Sequence, residues 1–402
     1  MTQDVFIYDH VRTPRGKGRP DGALHPITPI QLAAQVLQAL RERNALDPAQ
    51  IEDVGLGVVM PVGEQGADIA RAALLMAGYG DGVVGYQLNR FCTSSLDTLK
   101  MGFGLVASGQ ADAVIGGGVE SMSRVPIGCD GGAVYTDPAV GRQYPYIPNG
   151  VAADLMAALD GVDRGAVDAY AVESQRRAAT AQAEGRFDAS LLPVRDFLGR
   201  VVLAKDEANR PGTTLQDLAK LKPAFAGAGA QGYHAIVLQR YPHLAHIEPI
   251  HTGGNSSGIV DGACAMLLGS RDYGVRNGLR PRARIVGAAS CADEPLLSLG
   301  GPMPATERLL KRCGLAIGDI DLFEVNEAFS VVPMRYARHF DIDPARINAN
   351  GGAIALGHPL GATGAMLTGT LLDELERRGA GLGLVTLCAA AGQSTAMAIE
   401  RV

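Results

Sequence analysis

Leu88-Asn-Arg-Phe-Cys-Thr-Ser-Ser-Leu-Asp-Thr-Leu99 joins an apolar, strand-like run to an amphipathic helix and places one cysteine, Cys92, at the junction. Upstream, Val83 to Leu88 reads as a strand. Downstream, Leu96, Leu99, Gly102, Phe103 and Val106 recur at helical spacing, and Thr93, Ser94 and Ser95 are capping residue types. The unpaired N–H groups and dipole of a helix N-terminus favour a thiolate, the reactive form of cysteine. Cys92 is therefore a candidate nucleophile. An isolated cysteine is more often a buried structural residue, so the weight of Cys92 rests on finding partners elsewhere in the chain.

The alternation of strand and helix around this stretch extends in both directions. Strands are expected at Val5 to Tyr8, Val54 to Met60 and Ala113 to Gly118, and helices at Ile30 to Glu42 and Ala67 to Ala77. Such alternation implies an α/β fold with a largely parallel sheet covered on both faces. Residues 121–250 break the rhythm with Gly/Asp/Pro/Tyr-rich loops and two helical stretches, Val151 to Leu159 and Arg164 to Glu184. After residue 250 the alternation resumes, with strands at Ala263 to Leu268, Ala283 to Ala289 and Leu322 to Val325. A helix is expected at Ala305 to Cys313 and another from Glu327; Asn348 to Leu356 then precedes a further helix, and Leu382 to Leu387 closes the series.

The two ends follow one plan. In the first, a turn with Cys92 leads into a helix ending at Gly109 and then a strand. In the second, a turn with His358 leads into a helix ending at Gly379 and then a strand ending in Cys388-Ala-Ala-Ala-Gly392. Duplication of an α/β unit would bring equivalent turns together. The domain reading is accordingly a first core half from 1–120 and 251–280, a loop-rich cover from 121–250, and a second core half from 281–402.

Composition is that of an ordinary globular chain: 402 residues, 47% hydrophobic and 19% charged, with a net charge of −6. That balance argues against a nucleic-acid surface. Arg12, Arg15, Lys17 and Arg19 form a small basic loop that reads as merely solvated. No apolar run reaches the ~18 residues of a membrane span and Met1 to Ile7 has no leader pattern, so the expectation is a cytoplasmic protein without membrane partners. Six cysteines without CxxC or metal-like spacing are expected to be free thiols, with no metal. The 52 glycines, nearly twice the usual ~7%, are scattered through apolar segments and suggest tight turns and close backbone packing.

Three further stretches carry chemistry. Gly351-Gly-Ala-Ile-Ala-Leu-Gly-His-Pro-Leu-Gly-Ala-Thr-Gly364 holds His358 in a turn with no bulky neighbours, where an imidazole is accessible and can activate a thiol. Cys388 ends a buried strand among very small residues. Asn326, in Phe323-Glu-Val-Asn-Glu-Ala-Phe329, is either an N-cap or an amide that orients a water or an oxyanion.

Taken together, these residues resemble the thiolase family over nearly the whole chain. Asn89 to Leu96 is similar to its nucleophile motif, Asn326-Glu-Ala-Phe329 to its NEAF box, Gly357-His-Pro359 to its GHP box and Cys388 to Gly392 to its C-terminal cysteine box. Gly117 to Met122, Arg210 to Thr214, Gly254 to Gly258 and Gly301 to Ala305 resemble further family stretches. The resemblance implies a duplicated α/β/α/β/α core and the acyltransfer chemistry of an acetyl-CoA C-acyltransferase. His358 would take the Cys92 proton, and the thiolate would attack the 3-keto carbon of a 3-oxoacyl-CoA. His358 and a water held by Asn326 would stabilise the enolate, and Cys388 would protonate it. A second oxyanion hole would use the backbone N–H groups of Cys92 and Ala390, where the alanine methyl narrows the pocket. Arg210, Ser257 and Phe329 would contact coenzyme A, the co-substrate; no permanently bound cofactor is implied. A homodimer or homotetramer is expected.

The departures concern substrate. Short-chain thiolases show His-Met-Gly where this chain has Pro148-Asn149-Gly150 and a methionine where it has Ser298, and the stretch between Phe225 and Thr252 is longer than usual. These point to a degradative enzyme for a longer, branched or cyclic 3-oxoacyl chain. The alternative within the family is an acetoacetyl-CoA-forming acetyl-CoA C-acetyltransferase. Outside it stand a serine hydrolase using Ser256 of Gly254-Asn-Ser-Ser-Gly258 with His358, and a non-catalytic acyl-CoA-binding relative.

Overall fold

The computed structural model describes residues 3–402. Its strands are β1 (Val5–Arg12), β2 (Gly16–Lys17), β3 (Asp53–Gly57), β4 (Val84–Leu88), β5 (Ala113–Ser121), a small hairpin of β6 (Val194–Arg195) and β7 (Val201–Leu203), β8 (Val260–Ser270), β9 (Ala283–Ala292), β10 (Leu322–Val325), β11 (Leu382–Ala389) and β12 (Gln393–Arg401). The main helices are α1 (Pro29–Arg43), α2 (Ile69–Met76), α3 (Ser94–Ala107), α4 (Asn149–Asp160), α5 (Arg164–Ala183), α6 (His234–Arg240), α7 (Pro302–Cys313), α8 (Val331–Phe340) and α9 (Thr363–Arg378).

One mixed sheet of ten strands runs β10-β11-β12-β9-β1-β8-β5-β3-β4, with β2 beside β8. Pairing is parallel at its two ends, β10 with β11 and β3 with both β4 and β5, where helical crossovers connect the strands. The central pairs, β11–β12, β12–β9, β9–β1, β1–β8 and β8–β5, are antiparallel. The halves meet at a narrow seam, Phe6–Arg284 and Ile7–Ala283.

Successive residues of a strand point to opposite faces, and three apolar cores follow from this. Ile115 and Leu56 pack outward under Leu32, Leu37 and Leu40 of α1. Val114, Leu268, Val385 and Ile399 pack inward on Leu96, Leu99 and Val106 of α3 and Leu367, Leu371 and Leu375 of α9. Phe323, Val325 and Ala396 pack outward under Leu309 of α7 and Tyr336 of α8. The order is thus helix, sheet half, the α3/α9 layer, sheet half, helix, with every residue of β5 and β8 buried.

Some elements differ from the sequence expectations. β3 stops at Gly57, because the amides of Val59 and Met60 turn to the Glu120 carboxylate at 2.8 and 3.2 Å. No helix starts at Glu327: residues 326–330 are a loop, and α8 begins at Val331 with Ser330 at its N-cap. Within Asn348 to Leu356 the regular element is a single helical turn, Ala353–Leu356. The chain closes on β12, one hairpin later than expected. Among the described residues no helix is long and apolar enough to cross a membrane.

Candidate active site

The turns carrying Cys92 and His358 are brought together by backbone packing. A Cβ at Gly118 would overlap the Gly361 carbonyl, one at Gly57 would meet that same carbonyl at 2.5 Å, and one at Gly364 would meet the Leu96 amide at 2.5 Å. Glycine at these positions lets the main chains approach more closely than side chains allow. Two polar contacts seal it. Ser95 Oγ accepts the Ala365 N–H at 3.0 Å, and Glu120 accepts the N–H of Gly361 at 2.8 Å. Phe91 and Leu360, the residues beside Cys92 and Pro359, share one small apolar cluster with Val59, Met60 and Val125.

Cys92 sits on a tight turn in which Phe91 has φ +48°, the left-handed region that a bulky residue adopts only when its surroundings hold it. Thr93 Oγ1 does not cap the helix; it lies 2.9 Å from both Arg90 O and Asp97 Oδ2 and donates its one proton to either. Asp97 is buried and also accepts from Thr395 Oγ1 at 3.0 Å, tying α3 to β12. The helix start does not deliver a resting thiolate. Burial, followed by the Glu120 carboxylate, pushes the Cys92 thiol up to about 12, and its own amide only partly opposes this. A helix terminus contributes about 0.3–1 kcal/mol at exposed sites, too little to offset desolvation.

His358 is buried and its N–H donates to Gly258 O at 2.9 Å. Its Nδ1 lies 2.6 Å from Thr363 Oγ1, which donates to Pro359 O at 3.0 Å. Its Nε2 faces Asn326 Nδ2 at 3.3 Å. Burial, reinforced by the charge of Arg15, pulls the imidazole down to about 3, so it is neutral at physiological pH. Asn326 is not an N-cap. Its N–H donates to Thr386 O at 3.0 Å, and its Oδ1 is buried without a partner in the chain. Cys388, near the end of β11, is buried, and burial above all pushes its thiol up. The Cys92 and His358 turns thus pack on each other, His358 and Asn326 are in direct contact, and all four of Cys92, His358, Asn326 and Cys388 are buried. Ala390 follows with ordinary backbone angles, and Ala391 takes the left-handed conformation instead, at φ +60°.

Two of the three residues expected at coenzyme A border one cleft of about 740 Å³, and the third sits behind its wall. Arg210 and Ser257 line it, and Phe329 lies against its Phe225 wall, ring centroids 5.8 Å apart. Ser257 is held by its N–H to Ala328 O at 2.9 Å. Its loop is pinned to α4, where Asp154 accepts the N–H groups of Ile250 and His251, each at 3.0 Å. Lys17 and Arg19 also line this cleft, so the basic loop is not merely solvated. Sequence reasoning also missed Glu120 and Thr363. A lone carboxylate ending an apolar strand, and a hydroxyl one helical turn after His358, were the available signals.

The serine-hydrolase alternative finds no geometry. Ser256 lies in a loop leading into β8, with no helix after it, and the His358 nitrogens face Thr363 and Asn326. Among the described residues no group of three His, Cys, Asp or Glu side chains is placed to hold a metal ion.

An α/β enzyme with acyltransferase ancestry is what comparison with known proteins returns. The family description "Thiolase, N-terminal domain" matches residues 5–232 and "Thiolase, C-terminal domain" matches 279–401. The chain belongs to the thiolase family. It is 40% identical to a beta-ketoadipyl-CoA thiolase of Pseudomonas knackmussii, covering 100% of both chains. It is 37% identical to the 3-oxoadipyl-CoA/3-oxo-5,6-dehydrosuberyl-CoA thiolase of Escherichia coli, again covering 100% of both. A crystal structure of the Bacillus anthracis acetyl-CoA acetyltransferase superposes with a TM-score of 0.87 at 31% identity, covering 100% of this chain and 99% of that one.

Proposed function

We propose that this thiolase cleaves a 3-oxoacyl-CoA with coenzyme A, giving acetyl-CoA and a shortened acyl-CoA through an acyl-Cys92 intermediate. The observation that carries the residue assignment is the Pro359–Thr363–His358 chain. Thr363 spends its proton on Pro359 O, so it accepts from His358 Nδ1–H and leaves Nε2 unprotonated. Nε2 takes the Cys92 proton as sulfur attacks the 3-keto carbon. The C2–C3 bond breaks, and its electron pair becomes a thioester enolate. Asn326 and the new imidazolium face that charge. Cys388 returns a proton to C2, releasing acetyl-CoA. The Cys388 thiolate then takes the thiol proton of coenzyme A as its sulfur attacks the acyl-Cys92 thioester; the hole made by the amides of Cys92 and Ala390 holds the oxyanion, and on its collapse the C–S bond to Cys92 breaks and Cys92 leaves with the proton returned by His358. Two thiols serve because one carries the acyl group while the other handles the proton.

The relatives named for 3-oxoadipyl-CoA support an acyl chain longer than acetoacetyl. The domain reading, two core halves from 1–120 with 251–280 and from 281–402 under the 121–250 cover, is consistent with the packing of α4 and α5. Self-association is supported by the free sheet edge at β4, where Val84 and the neighbouring Leu75, Met76 and Met101 are exposed. CoA-dependent cleavage is measured across 3-oxoacyl-CoAs of rising size. Turnover of the longer chains, lost in Cys92→Ser, is expected; turnover of acetoacetyl-CoA far above every longer substrate overturns the chain-length reading.

A further inference from the structure

Asn149 and Ser298, from segments far apart in sequence, are in direct contact. The Ser298 hydroxyl lies 3.0 Å from Asn149 Oδ1 and donates to it. Their surroundings are apolar: Ile147, Val151, Leu297, Leu299 and Phe329 form one buried cluster that also contains Cys388. Ser298 is buried while Asn149 is only partly so, and a serine hydroxyl set in such a wall needs a polar partner that apolar side chains in the same space would not. Ser298 also holds φ +57°, a conformation that costs a non-glycine residue roughly 1–2 kcal/mol, and it is only 1% exposed. The backbone is thus bent to deliver this hydroxyl to the amide.

Both segments reach the reacting centre. Tyr146, three residues before Asn149, packs edge-on against Tyr135 at 4.8 Å between centroids, and Ile147 and Val151 on either side of Asn149 share the apolar cluster that holds Cys388. The Ser298 loop is tied to the turn after Cys388 by Asp293 N–H to Gly392 O at 2.8 Å. The stretch between Phe225 and Thr252 packs Val237 and Tyr233 onto the same cluster. The hydrogen-bond inventory then fixes what the pair can read. Ser298 occupies one lone pair of the Asn149 carbonyl, and neither Asn149 Nδ2 hydrogen has a partner among the described residues. Glu294 of the Ser298 loop is engaged elsewhere, pairing with Arg240 Nε at 2.7 Å.

We propose that Asn149, oriented by Ser298, is a specificity-determining residue that donates its amide N–H to an oxygen atom on the acyl chain, selecting 3-oxoacyl-CoAs with an oxygenated tail over hydrocarbon ones. The inference rests on the thiolase reading of the site and adds the chemistry of the acyl group. The partly exposed Asn149 amide would be covered by the bound acyl chain, and a chain that lacks an acceptor would cover that donor without giving it a partner.

The test uses three substrates on the same six-carbon backbone: 3-oxoadipyl-CoA, its terminal methyl ester and 3-oxohexanoyl-CoA. The expected result is a kcat/KM at least about tenfold higher for the oxygenated pair than for 3-oxohexanoyl-CoA. That ratio should fall at least about fivefold in Asn149→Leu, and also in Ser298→Ala, which changes less volume. Preference for the acid over the ester, or equal use of both, supports the proposal and distinguishes a charged from a neutral acceptor. A wild-type ratio near or below one, or one unchanged in both variants, overturns it. Failure to cleave any of the three sinks the thiolase reading itself.

Discussion

His358 Nδ1 lies 2.6 Å from Thr363 Oγ1, and this hydroxyl decides which imidazole nitrogen can act as a base. Because Thr363 donates to Pro359 O at 3.0 Å, it can only accept from the ring. The proton is held on Nδ1, and the lone pair is presented on Nε2. Thr363→Val removes the acceptor and lets the ring adopt the wrong tautomer. Expected is a roughly 10²-fold loss in kcat/KM, below the ~10⁴ seen when a triad carboxylate is removed. Thr363→Ser should restore most of it, and steady-state kinetics of the pair decides. Equal losses in both would show that the residue matters only for packing.

Cys92 should behave as a thiol until its base acts. Burial and Glu120 hold it up at about 12, so spontaneous thiolate is scarce near neutrality. Alkylation by iodoacetamide, followed at the Cys92 peptide by mass spectrometry, is expected to be slower by about tenfold or more at pH 7 in His358→Asn than in the wild type. The variant's rate should keep climbing towards high pH, because only bulk hydroxide is left to remove the proton. Equal rates at pH 7 would show that His358 does not activate the thiol.

Much of this was legible in the sequence, for identifiable reasons. The strand–turn–helix around Cys92 follows from local periodicity, and the Gly-rich turn around His358 from composition. Their meeting was inferable from the repeat of the plan, since α3 and α9 form one shared layer. What stayed hidden depends on distant contacts. Nothing local in Asn326-Glu-Ala-Phe329 says that it is a loop; Glu327 is held by Ser174 Oγ at 2.6 Å and Tyr170 OH at 3.0 Å, from a helix more than 150 residues away. The antiparallel centre of the sheet arises where chain segments return after long excursions, which strand–helix alternation does not encode. The role of Lys17 and Arg19 emerged only once the cleft was formed.

Acid stability carries the signature of a buried neutral histidine. In the unfolded chain His358 titrates near 6.5, but in the fold it is drawn down to about 3. Between those values the unfolded state binds a proton that the folded state does not, so stability falls as pH drops through that window and is fully restored above it. His358→Gln has no such proton. Urea midpoints at pH 7.5 and 4.5 should therefore drop further for the wild type than for the variant. An equal drop would place the acid sensitivity in other groups.

Gly118 tests how tightly the two turns are held. A methyl there meets the Gly361 carbonyl, a backbone atom that cannot swing aside. Gly118→Ala is expected to destabilise the protein by about 3 kcal/mol and to cut activity beyond its effect on folding, by moving His358 relative to Cys92. Gly109→Ala is the control: its Cβ would meet nothing within 4 Å, and its cost comes only from φ +72°. Comparable activity per folded molecule in both variants would show that the Gly118 contact does not set the catalytic geometry.

The basic rim makes the last prediction, and charge distinguishes it from shape. Lys17 and Arg19 line the cleft together with Arg210, while Lys17 is half exposed and only loosely paired to Glu207 at 3.6 Å. A half-exposed cation that is not committed to a partner remains available to a phosphate, and such contacts are screened by salt. Lys17→Ala/Arg19→Ala should raise KM for coenzyme A by about three- to tenfold with little change in kcat, since the chemistry lies behind the cleft and uniform binding affects KM alone. The effect should shrink in 0.5 M salt, where the Debye length falls to roughly 4 Å. With dephospho-CoA, which lacks the 3′-phosphate, the wild type should lose part of its advantage over the variant. A variant defect that is indifferent both to salt and to that phosphate would mean the loop shapes the cleft and does not read its charge.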